Sequence, residues 1–211
     1  MKVLNLYSGI GGNRKLWNRV DVTAVEINPE IALIYSEFFP NDEMIVGDAH
    51  EFLLNHYKDD WDFIWSSPPC PTHSRIRNIA GVGRGQNEPV YPDMKLYQEI
   101  IFLNQIYYSN GCSFKGKFCV ENVASYYSPL IKPLVVGRHY MWTNFHVTNY
   151  SCCDDIHHCS IPIKQKELGV DLSKYNLDIR KDKILRNCVN PKLSLHIFDC
   201  AFKRKQTKLV S

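Results

Sequence analysis

Four short apolar runs, each closed by a glycine or a polar residue, restrict this chain to one kind of fold. Val3-Leu4-Asn5-Leu6 runs into Tyr7-Ser8-Gly9-Ile10-Gly11-Gly12, and Val22-Thr23-Ala24-Val25 ends at Glu26. Met44-Ile45-Val46 ends at Gly47-Asp48, and Asp62-Phe63-Ile64-Trp65 leads into Ser66-Ser67-Pro68-Pro69-Cys70. Runs this short and this apolar suit strands buried on both faces of a parallel sheet. Between them the pattern predicts a helix carrying Leu16 and Trp17. A second opens at Asn28-Pro29-Glu30 with Ile31, Leu33, Ile34 and Phe38 on its apolar face. Strand–helix alternation of this kind predicts an α/β fold, a doubly wound and mostly parallel sheet with helices on both sides. A further helix is predicted over 95–109 from the stripe Leu96, Ile100, Leu103 and Ile106, and a fifth strand over 116–120 that ends on Glu121. Beyond Asn144 the pattern weakens until a final helix near 193–201.

Composition bounds the class. The 211 residues suit one domain with at most a small appendage, and 45% hydrophobic with 22% charged residues is a globular balance. No apolar run approaches a membrane span, and the N-terminus reads as a strand rather than a signal peptide. Eight cysteines without a secretory signal argue for free thiols in a reducing compartment. The expected location is therefore cytoplasmic. Net charge is only +3 but unevenly spread: residues 160–211 hold 12 Lys and Arg against 5 Asp and Glu. A basic C-terminal quarter suits a phosphate-backbone partner, although the last nine residues read equally well as a solvated tail.

The chemistry-bearing residues cluster at strand ends. Cys70 follows two prolines at the C-terminal end of a strand, where parallel sheets place their sites, and polar Thr72, His73 and Ser74 surround it. A buried structural thiol would sit in an apolar stripe instead. Arg75 and Arg77 are expected to lower the Cys70 pKa. His73 as the base of a Cys–His hydrolase lacks an orienting third group. Glu121, followed by Asn122 and Val123, closes the fifth run. Gly9, Gly11 and Gly12 open a turn that admits a ligand's backbone approach, Glu26 ends the next strand where ribose hydroxyls bind, and Asp48 stands within reach of an adenine amine. These positions favour an adenosine-containing cofactor. Residues 71–92, with Arg75, Arg77 and Arg84 among glycines, read as a mobile lid. Cys152, Cys153, His157, His158 and Cys159 lack zinc-site spacing, so no metal is expected.

In order along the chain, these motifs resemble the DNA cytosine-5 methyltransferases, specifically the short forms carried by phages and prophages. Residues 4–12 resemble the family's D-x-F-x-G-x-G-G opening, with Asn5 for Asp and Tyr7 for Phe. Residues 25–29 and 47–49 resemble the second and third motifs. Pro68 to Ser74 is similar to P-C-Q-x-x-S with Pro71 for Gln, and Glu121-Asn122-Val123 reproduces E-N-V. Residues 137–144 look like a degenerate Q-x-R-x-R, with Arg138 as the base-contacting arginine. Residues 186–191 resemble the closing G-N-x-V-P motif. About forty residues stand between Asn144 and Arg186, where the family inserts a long target-recognition domain.

The resemblance implies a Rossmann-like methyltransferase core over 1–144, a reduced target-recognition segment over 145–185, and a returning helix with a basic tail over 186–211. It implies S-adenosylmethionine as cofactor, held by Tyr7, Ser8, Gly9, Gly11, Gly12, Glu26, Ile27, Asp48, Ala49, Pro68, Asn187 and Val189. Cys70, Glu121, Asn122 and Arg138 would act on cytosine, with Glu121 held by Asn122. Ser74, Arg75, Arg77 and Arg84 would meet double-stranded DNA. Three alternatives stay open at this point. They are an RNA cytosine-5 methyltransferase, a non-catalytic DNA-binding relative, and a nicotinamide-dependent oxidoreductase that would leave Cys70 and Glu121-Asn122-Val123 unexplained.

Overall fold

The computed structural model describes residues 1–75, 90–108, 114–150 and 159–202. The first four predicted strands form β1 (Lys2–Leu6), β2 (Asp21–Glu26), β3 (Glu43–Val46) and β4 (Phe63–Ser66). Helices α1 (Pro29–Phe38) and α2 (Ala49–His56) connect them, and α3 (Lys95–Tyr108) leads to β5 (Lys117–Val123). A hairpin of β6 (Leu134–Val136) and β7 (His139–Thr143) follows, then α4 (Ile161–Leu168), α5 (Lys181–Asn187) and α6 (Pro191–Phe202). The sheet order is β3-β2-β1-β4-β5-β7-β6. Strands β1 to β5 pair in parallel, while β7 lies antiparallel to β5 and to β6. The order reverses between β1 and β4, so the loops leaving those two strands diverge and open a crevice at their carboxyl ends.

Alternation along each strand divides the apolar side chains between the two faces. On one face Val3, Val22, Phe63, Trp65 and Met141 pack with Trp17 and with Leu193, Ile197 and Phe198 of α6. On the other, Leu4, Leu6, Val25, Ile64 and Val120 pack under α2 and α3. Burial of both faces explains why the runs read as continuously apolar in sequence.

Three local expectations are corrected. The helix expected to carry Leu16 and Trp17 is a single 3-10 turn, Arg14–Leu16, after which Trp17 is extended (ψ 126°). The Arg14 guanidinium donates to the Trp17 carbonyl and to Asp42, fixing the turn. Its ring stacks on Phe198 at 5.2 Å, so tertiary packing, not helical periodicity, places it. β5 does not stop at Glu121 but runs on through Val123, because β7 supplies a partner as far as His139. Beyond Asn144, where only a final helix was expected, α4 and α5 also form, and the described part of 145–185 packs on the core. Leu168, Leu172, Ile184 and Leu185 share one buried cluster with Ile10, Ile31 and Ile34, and Lys174 and Tyr175 both donate to Glu37 of α1. Lys164, buried in α4, pairs with Asp182 of α5 at 2.6 Å and joins the two helices.

Candidate active site

The turn after β1 is built for close approach. Tyr7, Gly9 and Gly11 all have positive φ (55°, 54° and 82°), a conformation that glycine adopts freely and other residues rarely. The Gly9 amide donates to Glu26 Oε2 at 3.0 Å, and the Asn28 amide donates to Glu26 Oε1 at 2.9 Å. Each carboxylate oxygen thus keeps acceptor capacity while its direction is fixed. A side chain on Gly12 would meet the Val189 carbonyl at 2.8 Å, so the turn lies directly against the segment entering α6. Asn5 and Asn13, both buried, exchange amide hydrogen bonds at 2.7 and 3.3 Å beneath it. Asp48 caps α2 by accepting from the His50 amide and also accepts from Lys95 Nζ at 3.1 Å.

A single cavity of about 510 Å3 spans the carboxyl ends of β1, β2, β4 and β5. The sequence-derived cofactor residues Tyr7, Ser8, Gly9, Gly12, Glu26 and Ile27 line it. So do Asp48, Ala49, Pro68, Asn187 and Val189, and with them Cys70, Glu121, Asn122 and Arg138. Gly11 does not. Its missing Cβ instead makes room for α1, since a methyl there would lie 2.2 Å from the Phe39 ring, so its glycine serves packing. Sequence reasoning missed Asn13, Lys95, His139 and Lys183, which also line the cavity. Of these only His139 stands within a quoted motif, that of residues 137–144, and there Arg138 drew the assignment.

Cys70 sits at the head of a tight turn whose His73 and Ser74 amides both donate to its carbonyl (2.9 and 3.0 Å). Asn122 Nδ2 donates to the Pro68 carbonyl at 2.9 Å, tying β5 to the Pro68-Pro69-Cys70 bend. Asn122 therefore holds the turn that carries Cys70, not Glu121. The partner of Glu121 is His139, whose Nδ1 lies 2.5 Å from Oε1. His73 pairs through Nδ1 with the Tyr127 hydroxyl at 2.5 Å, and its Nε2 is buried without a hydrogen-bond partner, so it makes no hydrogen bond to the Cys70 thiol. Ser74 bridges to Ser125, and Arg75 Nε donates to the Ser125 carbonyl at 3.0 Å, so both are anchored beside the cavity and do not line it. Arg77 and Arg84 lie outside the described residues, as do most of 71–92, Cys152, Cys153, His157, His158 and the tail 203–211. Among the described residues no group of His, Cys, Asp and Glu could hold a metal ion, and no helix is long and apolar enough to cross a membrane.

The expected lowering of the Cys70 pKa is reversed. Burial first, then the nearby Glu121 charge, push the thiol up from 9.0 to about 11. Its own amide and the Arg138 guanidinium oppose the shift, while Arg75 is committed to Ser125. Only the thiolate is nucleophilic, so a raised value means less reactive sulfur at any pH below it. Iodoacetamide labelling of Cys70, followed by peptide mass, is expected to rise about tenfold per pH unit through pH 9. Levelling below pH 9 would contradict this.

The sheet order, the antiparallel edge hairpin and a cavity over the carboxyl ends of β1 and β4 define a doubly wound α/β fold with its site at the topological switch point. The model of the family C-5 cytosine-specific DNA methylase matches residues 1–103, a stretch that holds the glycine turn and Cys70. Among curated proteins none matches. Solved structures similar to it include a protein described as a DNA modification methyltransferase encoded within a prophage of E. coli (22% identity, TM-score 0.38, 59% of this chain and 32% of that one). The Dnmt2 methyltransferase of S. pombe is another (22% identity, TM-score 0.39, 58% and 34%), as is a DNMT2 mutant of Spodoptera frugiperda (25% identity, TM-score 0.36, 58% and 35%). The chain spans about a third of the length of each.

Proposed function

We propose that this protein transfers a methyl group from S-adenosylmethionine to C5 of cytosine in duplex DNA, with Cys70 as covalent nucleophile. The observation that carries this reading is one cavity lined by Glu26, Asp48, Cys70, Glu121 and Arg138 together. The residues present fit the cofactor. Ser8 Oγ is buried at the glycine turn without a partner, and Glu26 keeps free acceptor capacity for ribose hydroxyls. Ile27, 67% exposed at the cavity rim, offers an apolar surface to adenine, with Asp48 beside it for the amine. Asn187 and Val189 line the same cavity. When bound, S-adenosylmethionine supplies an electrophilic methyl group.

Cytosine C5 is a weak nucleophile while the ring stays aromatic. A bond from Cys70 Sγ to C6 breaks that aromaticity and makes C5 enamine-like. Glu121 hydrogen-bonds the N3 and amino edge and offsets the charge that develops there, and Arg138 supports the same base. C5 would then take the methyl group as the donor's sulfur–methyl bond breaks and leaves a neutral thioether, and loss of the C5 proton to water with expulsion of the Cys70 thiolate would restore the ring. A stacked base cannot reach Cys70, so the nucleotide must be flipped out of the duplex. Ser74 and Arg75, fixed to Ser125, stand beside the cavity where a phosphate backbone would pass.

The test is transfer of labelled methyl to unmethylated duplex DNA, with product nucleosides resolved by mass. 5-Methyldeoxycytidine is the expected product. Label appearing on transfer RNA alone would replace the substrate, and none on either, with the cofactor bound, would overturn the reading.

A further inference from the structure

We infer that His139 is the positioning residue for Glu121, fixing which carboxylate oxygen faces the base; this deepens the function proposed above and rests on it. The antiparallel register pairs Val123 with His139 and Glu121 with Met141. Glu121 and His139 are therefore diagonal neighbours on one face of the sheet, a spacing that long side chains bridge. His139 Nδ1 and Glu121 Oε1 lie 2.5 Å apart, and the two residues are 8% and 5% exposed. At that separation one proton lies between nitrogen and oxygen, whichever atom carries it. His139 Nδ1 thereby engages Oε1, and both residues line the cavity.

No other described side chain is placed to do this. Asn122, the neighbour in sequence, is spent on the Pro68 carbonyl and on the Val123 amide. Arg138 is adjacent in sequence to His139, but its guanidinium bears on Cys70. A buried carboxylate without a fixed partner would sample several rotamers, and about 1 Å of misplacement at a reacting group is enough to cost two orders of magnitude in rate. The hairpin of β6 and β7 brings His139 to the carboxylate.

The experiment compares His139→Phe with His139→Gln, which keeps an N–H donor in place of the imidazole. His139→Phe is expected to lower kcat about 100-fold, with the cofactor Kd and the DNA KM within about twofold of wild type. His139→Gln is expected to recover most of that loss, and it keeps the test open should the phenylalanine variant fold poorly. In a Glu121→Gln background the His139→Phe change should add almost nothing, because the residues act as a unit. A His139→Phe enzyme within twofold of wild type, or an undiminished cost in that background, overturns the inference. A second readout needs no reaction: in the free protein, Glu121→Gln should shift the 15N ring resonances of His139 and leave those of His50 unmoved. An unmoved His139 overturns the pairing. Absence of methyl transfer by the wild type, with His139 still responding to Glu121→Gln, removes the proposed reaction and retains the pairing.

Discussion

Cys70→Ser is expected to lose methyl transfer by a factor on the order of 10^4 or more, while cofactor affinity stays within about twofold. Two facts make the effect this large. The thiol is already held at about 11 by burial and by Glu121, so its ionisation is disfavoured in the resting site. A hydroxyl in the same place ionises far less readily, and among the described residues the Arg138 charge is the side-chain influence that favours an anion at residue 70. The substitution itself is small. The turn around Cys70 is fixed by its carbonyl and by the Asn122–Pro68 bond, neither of which involves the sulfur. Binding should therefore survive, and the loss should fall on kcat. Isothermal titration with S-adenosylmethionine and single-turnover transfer to DNA separate the two. Residual transfer above one-tenth of wild type would rule out covalent attack by Cys70.

The two parts of the site differ in how visible they are in the sequence. The strands could be read because each is buried on both faces and so leaves an unbroken apolar run, and the residues that end those runs face the crevice by topology. Glu26, Asp48 and Cys70 were legible for that reason. Glu121 was legible as a carboxylate after an apolar run, though β5 continues past it because β7 supplies hydrogen-bond partners. The supporting groups were not visible. His139 stands in a degenerate motif from which only Arg138 was assigned. Asn122 was assigned to Glu121 by adjacency, but alternation in a strand points successive side chains to opposite faces, and it reaches Pro68, 54 residues away. Helices α4 and α5 were missed because they are only 8 and 7 residues long, and α4 buries a lysine where the pattern looks for an apolar residue. Contacts that depend on tertiary partners leave no periodic trace.

The same is true of Glu99, which looks like an ordinary polar position of α3 and is expected to be among the costliest to remove. It is 1% exposed and accepts from the Tyr7 hydroxyl at 2.5 Å and the Ser66 hydroxyl at 2.5 Å, with His50 Nδ1 at 2.9 Å. Three elements far apart in sequence converge on one carboxylate. Burial, then the Glu99 charge, drive the Tyr7 pKa well above the ordinary tyrosine value, so the phenol stays protonated and donates. Glu99→Ala leaves those donors facing a void. Each orphaned buried group costs about 1–3 kcal/mol, and the cavity adds to it. Allowing for relaxation and for the partial exposure of His50, the expected loss is about 3–5 kcal/mol, or roughly 10 °C in Tm for a chain of this size. Function should suffer as well. Tyr7 holds a positive φ at the entrance to the glycine turn and lines the cavity, so releasing its hydroxyl loosens the wall that Ser8 and Gly9 form. Cofactor affinity should weaken with stability. Glu99→Gln, which keeps an acceptor but turns an amide N–H₂ toward one donor, should fall between alanine and wild type in both. Thermal unfolding and cofactor titration on the three proteins decide the matter. An alanine variant within about 1 kcal/mol of wild type would mean that Tyr7 and Ser66 find other partners, and that the cluster does not brace the turn.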